Sequence, residues 1–280
     1  MLPNRSSRLL VLLCMALLAG CASSGKKGPM TEKDYYDAAQ KSLRAGNFQT
    51  ASEHLESLES HYPVGQYTEQ AQLDLIYARF RHLDHAGASA AADRFLRLHP
   101  GHPQSDYAQY MKGLAAYEAD RDVFTRYLPV NPAHRDLSAG REAFREFALL
   151  LERYPQSEYA QDARARMRYL RNQMAESELH VARYYAKRRA WVSSLNRSRW
   201  VIENYPGAPA VPDALALQAY TYDQLGMTEL AAQQLALLRQ NYPQHPGLDE
   251  LARELGAQNE NRSWLNILSF GLLGGFTLDD

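Results

Sequence analysis

Cysteine is almost missing from this chain: its 280 residues hold two, Cys14 and Cys21. That excludes a disulfide framework and a cysteine-based zinc site. Long apolar runs are missing as well. The uncharged stretch at 9–18 (LLVLLCMALL) is about half of the roughly 20 residues that cross a bilayer as a helix. Neither sign of charge dominates, with 31 basic against 32 acidic residues and a net charge of −1. Nucleic-acid binding needs a clear basic surplus and is excluded as a reading. β-Branched residues are few, while Ala, Leu, Gln, Glu and Arg dominate, a balance that favours helix over strand. A Gly-rich phosphate loop and a Gly-x-Ser-x-Gly elbow are both absent. Two His-x-x-His pairs occur, His82/His85 and His99/His102. They lack the i, i+4 spacing and third ligand of a helical metal site and read as solvated turn residues. No catalytic residue and no metal ligand is assigned.

What is present begins at the N-terminus. Arg5 and Arg8 precede the short apolar stretch, and Leu18-Ala19-Gly20-Cys21 follows it. Basic start, apolar middle and small residues at the end make a secretory signal over 1–20, and Leu-Ala-Gly-Cys looks like a bacterial lipobox. The expected lipidation site is Cys21, carrying a covalent diacylglycerol and an N-acyl lipid, with no other cofactor. Cys14 leaves with the signal, so the lipid takes the one remaining thiol. Each buried methylene contributes about 0.8 kcal/mol, and two acyl chains already anchor stably. Residue Ala22 is not Asp, which points to the periplasmic face of the outer membrane. Residues 21–30 read as a lipid anchor and flexible tether.

The rest repeats itself. Helical runs end at Tyr62-Pro63, His99-Pro100, Tyr154-Pro155, Tyr205-Pro206 and Tyr242-Pro243, with the prolines 37, 55, 51 and 37 residues apart. Pro disfavours helix at the residue before it, and Ser105 or Ser157 in the near-identical PQSDYAQ and PQSEYAQ then offers an N-cap. Small residues fall at Ala39, Ala51, Ala219 and Ala231, with Gly46 and Gly226 at inter-helix turns. Phe48, Ala51, Leu55, Leu58 and Tyr62 make one apolar stripe of a 3.6-residue helix. The pattern predicts an all-α tetratricopeptide-repeat superhelix of about five helix-turn-helix repeats over 31–250. The excess in the third unit is predicted to be a loop at 118–138. That in the fourth is predicted to be one long helix from about Glu158 to Lys187. The C-terminal extension, 251–280, has no assigned structure, and packing on the last repeat is its default.

Stacked helix pairs present a hollow suited to extended peptides. The candidate groove residues are Tyr62, Tyr67, Asp74, Tyr77, Arg94 and Arg97. Arg94 and Arg97 stand at the i, i+3 spacing that brackets a carboxylate, although Tyr62 and Tyr77 serve equally well as packing between repeats. Acid pairs such as Asp34/Asp37 read as wet helix faces.

Four strings carry a resemblance: HYPVGQYTEQAQLDLIYA (61–78), AADRFLRLHPGHPQSDYAQYMKGLA (91–115), AFREFALLLERYPQSEYAQDA (143–163) and VARYYAKRRAWVSSLNR (181–197). With the lipobox, they make the chain similar to the BamD (ComL/YfiO) family of β-barrel assembly lipoproteins. The resemblance implies a non-enzymatic periplasmic scaffold that helps fold and insert outer-membrane barrels. Implied partners are unfolded barrel proteins, the BamA periplasmic domain, other Bam lipoproteins and the membrane through the lipid. Its first repeats would receive a barrel's C-terminal strand. Its last would dock BamA, with Arg197 and Tyr222 as the carried-over contact. A periplasmic repeat protein coordinating cell-wall (peptidoglycan) processes is the alternative of the same architecture.

Overall fold

The computed structural model describes residues 30–119 and 136–249. Within them lie ten helices: α1 (Glu32–Arg44), α2 (Phe48–His61), α3 (Thr68–Arg81), α4 (His85–Leu98), α5 (Ser105–Ala119), α6 (Ser138–Arg153), α7 (Ala160–Lys187), α8 (Trp191–Asn204), α9 (Val211–Gln224) and α10 (Thr228–Asn241). They follow one another in chain order, joined by turns, and no strand occurs among the described residues. No described helix is long and apolar enough to cross a membrane. The signal, Cys21 and the extension at 251–280 lie outside the described residues.

The chain divides between Leu83 and Asp84 into two compact units. In the first, α2 packs on both α1 and α3. In the second, each helix from α4 to α10 packs on its successor, and α9 also touches α7.

Each pair stops in one way. The residues before the five prolines, Tyr62, His99, Tyr154, Tyr205 and Tyr242, have φ between −124° and −135° and ψ between 50° and 70°. The pyrrolidine ring forces this by excluding the α conformation from its predecessor. At four of the stops the chain then closes a tight turn. The amides of His102, Ser157, Ala208 and His245 donate to the carbonyls of His99, Tyr154, Tyr205 and Tyr242 at 3.0–3.2 Å. Proline at the second position of a turn pre-sets its φ.

The two serines play different parts. Ser105 lies inside α5, where its hydroxyl donates to the carbonyl of His99 at 3.1 Å, as Thr68 does to Tyr62 at 2.8 Å. Ser157 stands two residues before the N-cap Tyr159 and donates to Asp106 across to α5 at 2.7 Å. The Ser157 oxygen also accepts from the backbone amide of Tyr159 at 3.2 Å, so it ties α7 to α5 and satisfies an amide at the entry to α7 together. His99 and His102 also differ from expectation: both rings pack on buried Phe95, with centroids at 4.9 and 5.2 Å, and are half-buried rather than solvated. Asp34 belongs to a capping box with Thr31, whereas Asp37 pairs with Lys33 on the exposed face.

Small residues are buried in the first and last pairs. Ala39, Ala51 and Ala219 are wholly buried and Ala231 nearly so. In the third pair, a Cβ added to Gly113 of α5 would lie 2.7 Å from the Phe147 ring of α6. A glycine on one helix there makes room for an aromatic on the other. The long fourth-pair helix is α7, of 28 residues. Residues 120–135 of the anticipated loop lie outside the described residues, while α5 runs on through Ala119.

The inter-helix turns pass through the left-handed region at Gly46 (φ 75°), Leu83 (66°), Arg189 (57°) and Gly226 (73°). A side chain in that region costs roughly 1–2 kcal/mol, partly offset because glycine is freer in the unfolded chain. Arg189→Gly is therefore expected to raise the unfolding free energy by about 0.5–1 kcal/mol, and Gly226→Arg to lower it by a similar amount. Urea titrations of both variants check this; a destabilised Arg189→Gly would contradict it.

Candidate functional site

In the first unit, α1 and α3 lie on the same side of α2 and are tied directly together. The Glu32 carboxylate at the start of α1 accepts from the backbone amides of Tyr67 (2.7 Å) and Gln66 (3.2 Å). One turn along, Tyr36 stacks on Tyr67 with centroids 4.8 Å apart. Another turn on, Gln40 donates to Asp74, which also accepts from Gln70 at 2.9 Å and from the Tyr36 hydroxyl. Asp74 has donors but no cation. Burial pushes its carboxyl above the ordinary carboxylate value, against the three donors that hold it down. Tyr36 is pushed up by burial and by Asp74, so its phenol is a neutral donor.

The ledge continues past Asp74 to Tyr77, 37% exposed. Its ring meets Phe48 edge-on at 6.0 Å, and its hydroxyl accepts from Arg81 at 2.6 Å. The Arg81 guanidinium lies over Phe48 at 4.7 Å and Tyr77 at 5.5 Å, a cation–π arrangement that holds both rings in place. The result is a run of tyrosine rings with one half-buried acceptor and one cation at its end. Of the expected groove set, Tyr67, Asp74 and Tyr77 lie along this stretch. Tyr62 is engaged elsewhere: its hydroxyl donates to the carbonyl of Met30 at 3.0 Å and its ring lies by Tyr35. Sequence reasoning missed Tyr36, Gln40, Phe48 and Arg81. The i, i+4 spacings Tyr36/Gln40 and Tyr77/Arg81 were the available signal, since such pairs share a helix face.

A family model described as an outer membrane lipoprotein, YfiO, matches residues 29–238. Over 231 residues the chain is 39% identical to the outer membrane protein assembly factor BamD of Vibrio cholerae, covering 82% of this chain and 96% of that protein. Its identity to BamD of Neisseria meningitidis serogroup A is 37% over 248 residues, covering 85% and 93%. Its identity to BamD of Xylella fastidiosa strain Temecula1 is 35% over 241 residues, covering 85% and 82%. The chain belongs to the BamD family. The matched span ends at residue 238, so the extension at 251–280 lies beyond the BamD family model.

The other residues carried into the BamD reading lie in the second unit. Arg94 and Arg97 are exposed on α4 and flank wholly buried Phe95. Arg197 on α8 has a half-exposed side chain that donates to Glu178 of α7 at 2.7 Å. Trp200 and Val192 are exposed on the same helix. Tyr222 is 8% exposed and packs with Leu195, Ala231 and Leu225. Its hydroxyl accepts from Arg199 at 3.2 Å. Its ring is core, so it supports Arg199 rather than offering a contact surface of its own. No group of three or more His, Cys, Asp or Glu side chains able to hold a metal occurs among the described residues.

The raised Asp74 carboxyl has a stability consequence. Its folded state holds a proton that the unfolded state releases, so its contribution falls as pH rises from the ordinary carboxylate value through its folded one. Asp74→Asn removes that term. Relative to the parent, this variant is expected to be more favourable at pH 7 than at pH 3, measured by urea unfolding at both. A difference independent of pH would contradict the assignment.

Proposed function

We propose that this chain is the lipid-anchored scaffold of an outer-membrane β-barrel assembly machine, working as a binding partner rather than as an enzyme. The α1/α3 ledge holds extended segments of unfolded barrel proteins. The α8 surface around Arg197 docks the BamA periplasmic domain, and Cys21 carries the lipid. Family membership supports the assembly role, and the description of the family as an outer membrane lipoprotein supports the anchor.

The observation that carries the client-binding half is the row of fixed tyrosines. In an extended chain, alternate side chains point to one face about 7 Å apart. From Tyr67 to Tyr77 the ledge runs roughly 15 Å along its helix, room for two such steps. Barrel strands alternate apolar and polar residues, with aromatics among the apolar set. Rings already held by Tyr36, Phe48 and Arg81 lose little freedom on binding, and that favours affinity. On α8, an exposed indole and a half-exposed guanidinium one turn apart are the side chains that dominate protein interfaces.

Two variants separate the two surfaces. Tyr77→Ser with Arg81→Gln is expected to weaken, by about fivefold or more, the titrated affinity of a synthetic peptide with alternating aromatics. BamA co-purification should be unaffected. Arg197→Gln is expected to reduce BamA co-purification and leave the peptide affinity alone. The reverse pattern, or no change in either, would overturn the assignment.

A further inference from the structure

The α1/α3 ledge has a copy in the second unit. Asp106 begins α5 as Glu32 begins α1, and it too holds the turn before a later helix, by accepting from Ser157 at 2.7 Å. One turn on, Tyr110 stacks on Tyr159 at 4.7 Å, as Tyr36 stacks on Tyr67. The Tyr110 hydroxyl donates to a carboxylate of the next first helix, Asp162 of α7, at 2.7 Å, as that of Tyr36 does to Asp74, although Asp162 stands one turn nearer the stacked ring. Farther along α7, Tyr169 is 45% exposed, and its hydroxyl accepts from Gln173 at 2.6 Å. Tyr77 and Arg81 do the same at the same spacing and distance. Tyr117 of α5 meets Tyr169 edge-on at 6.2 Å.

The end chemistry differs. Position 81 is a cation seated on rings, while its counterpart at 173 is a neutral amide. The cation of the second ledge, Arg166, is compensated: it pairs with Asp162 at 2.5 Å and Glu118 at 3.9 Å and lies over Tyr117 at 4.7 Å. Burial pushes Tyr110 and Tyr159 up to about 12, with Asp162 and Glu158 adding to it, so both phenols stay uncharged.

We propose that α5 and α7 form a second polypeptide-docking ledge, which takes an extended, uncharged segment with alternating aromatics and does not distinguish a negative chain end. This rests on the reading of the first ledge as a client site. Packing of α5 and α7 in the unit is served by buried Ala108, Met111, Ala115, Ala163 and Leu170. That role leaves unexplained why an exposed ring is pinned at the same repeat position twice. Pinning an exposed ring contributes little to a core, but it pre-organises a contact surface. The missing end charge sets what the surface prefers. Arg81 pairs with a terminal carboxylate, and Gln173 has no charge to pair.

The test uses the full-length chain and one synthetic peptide of alternating tyrosine and serine, prepared as free acid and as C-terminal amide. Titration of the parent protein is expected to show two classes of site. Tyr169→Ser with Gln173→Ala removes one class and keeps the preference for the free acid. Tyr77→Ser with Arg81→Gln removes the other class together with that preference. Gln173→Arg rebuilds the first ledge's end in the second, and on the Tyr77→Ser, Arg81→Gln background it is expected to restore an acid-over-amide preference of about two- to fivefold. Urea unfolding of each variant confirms folding. A single class abolished by the Tyr77 and Arg81 changes and untouched by those at Tyr169 and Gln173 would overturn the second ledge alone. So would Gln173→Arg binding acid and amide equally. No binding by the parent would overturn the client reading as well.

Discussion

Where the two helices of a pair cross, there is no room for a branched side chain on both. Ala39, Ala51, Ala219 and Ala231 meet that constraint with methyl groups, and Gly113 meets it with a hydrogen against the Phe147 ring. Interiors are close-packed, so an added methylene at such a place costs typically 1–3 kcal/mol. The close approach constrains the geometry of the first, third and fifth pairs, and the common proline stop ends each repeat. Both local rules recur in the same register, so side chains at equivalent positions recur in equivalent settings. That is why Tyr77 and Tyr169 each stand exposed, with the hydroxyl held four residues on.

The two proposed docking surfaces follow from this regularity. Second helices supply the buried stripe, such as Leu55 and Leu58 on α2 or Phe147 and Leu150 on α6. First helices keep one face for Tyr36, Gln40, Tyr67, Asp74 and Tyr77, or for Tyr110, Tyr117 and Tyr169. Carboxylates then stitch one first helix to the next. Each ledge joins neutral phenols to a few charged groups, a mixture that suits polypeptide whose backbone is still unpaired. The buried carboxylate of Glu146, 3% exposed, is answered by Gln109 at 2.9 Å and Lys112 at 3.2 Å.

Much of the architecture was legible because its rules are local. Proline constrains its own ring and its predecessor, so five stops could be located by eye. The alanines at the crossings are small for a reason that operates within one pair. The long α7 was visible from its lack of proline and glycine. The left-handed turns at Leu83 and Arg189 were not, because a solvent-facing residue in that conformation leaves no mark in composition. The site was harder still. The Tyr36 partner, Tyr67, is set by which helices become neighbours across an intervening one. Arg94 and Arg97 had the spacing of a carboxylate clamp, yet that spacing follows equally from flanking a core residue, Phe95. Tyr222 is an aromatic drawn into the core by Leu195 and Ala231, and no one-dimensional pattern separates it from an exposed one.

The account stands on the first-helix face being where clients lie. A photo-reactive residue placed at Tyr77, and another at Glu53 on the exposed face of α2 in the same unit, would report contacts with an unfolded barrel protein during assembly. Crosslinks from position 77 with none from position 53 are the expected result. Equal crosslinking from both, or crosslinks from position 53 alone, would contradict it.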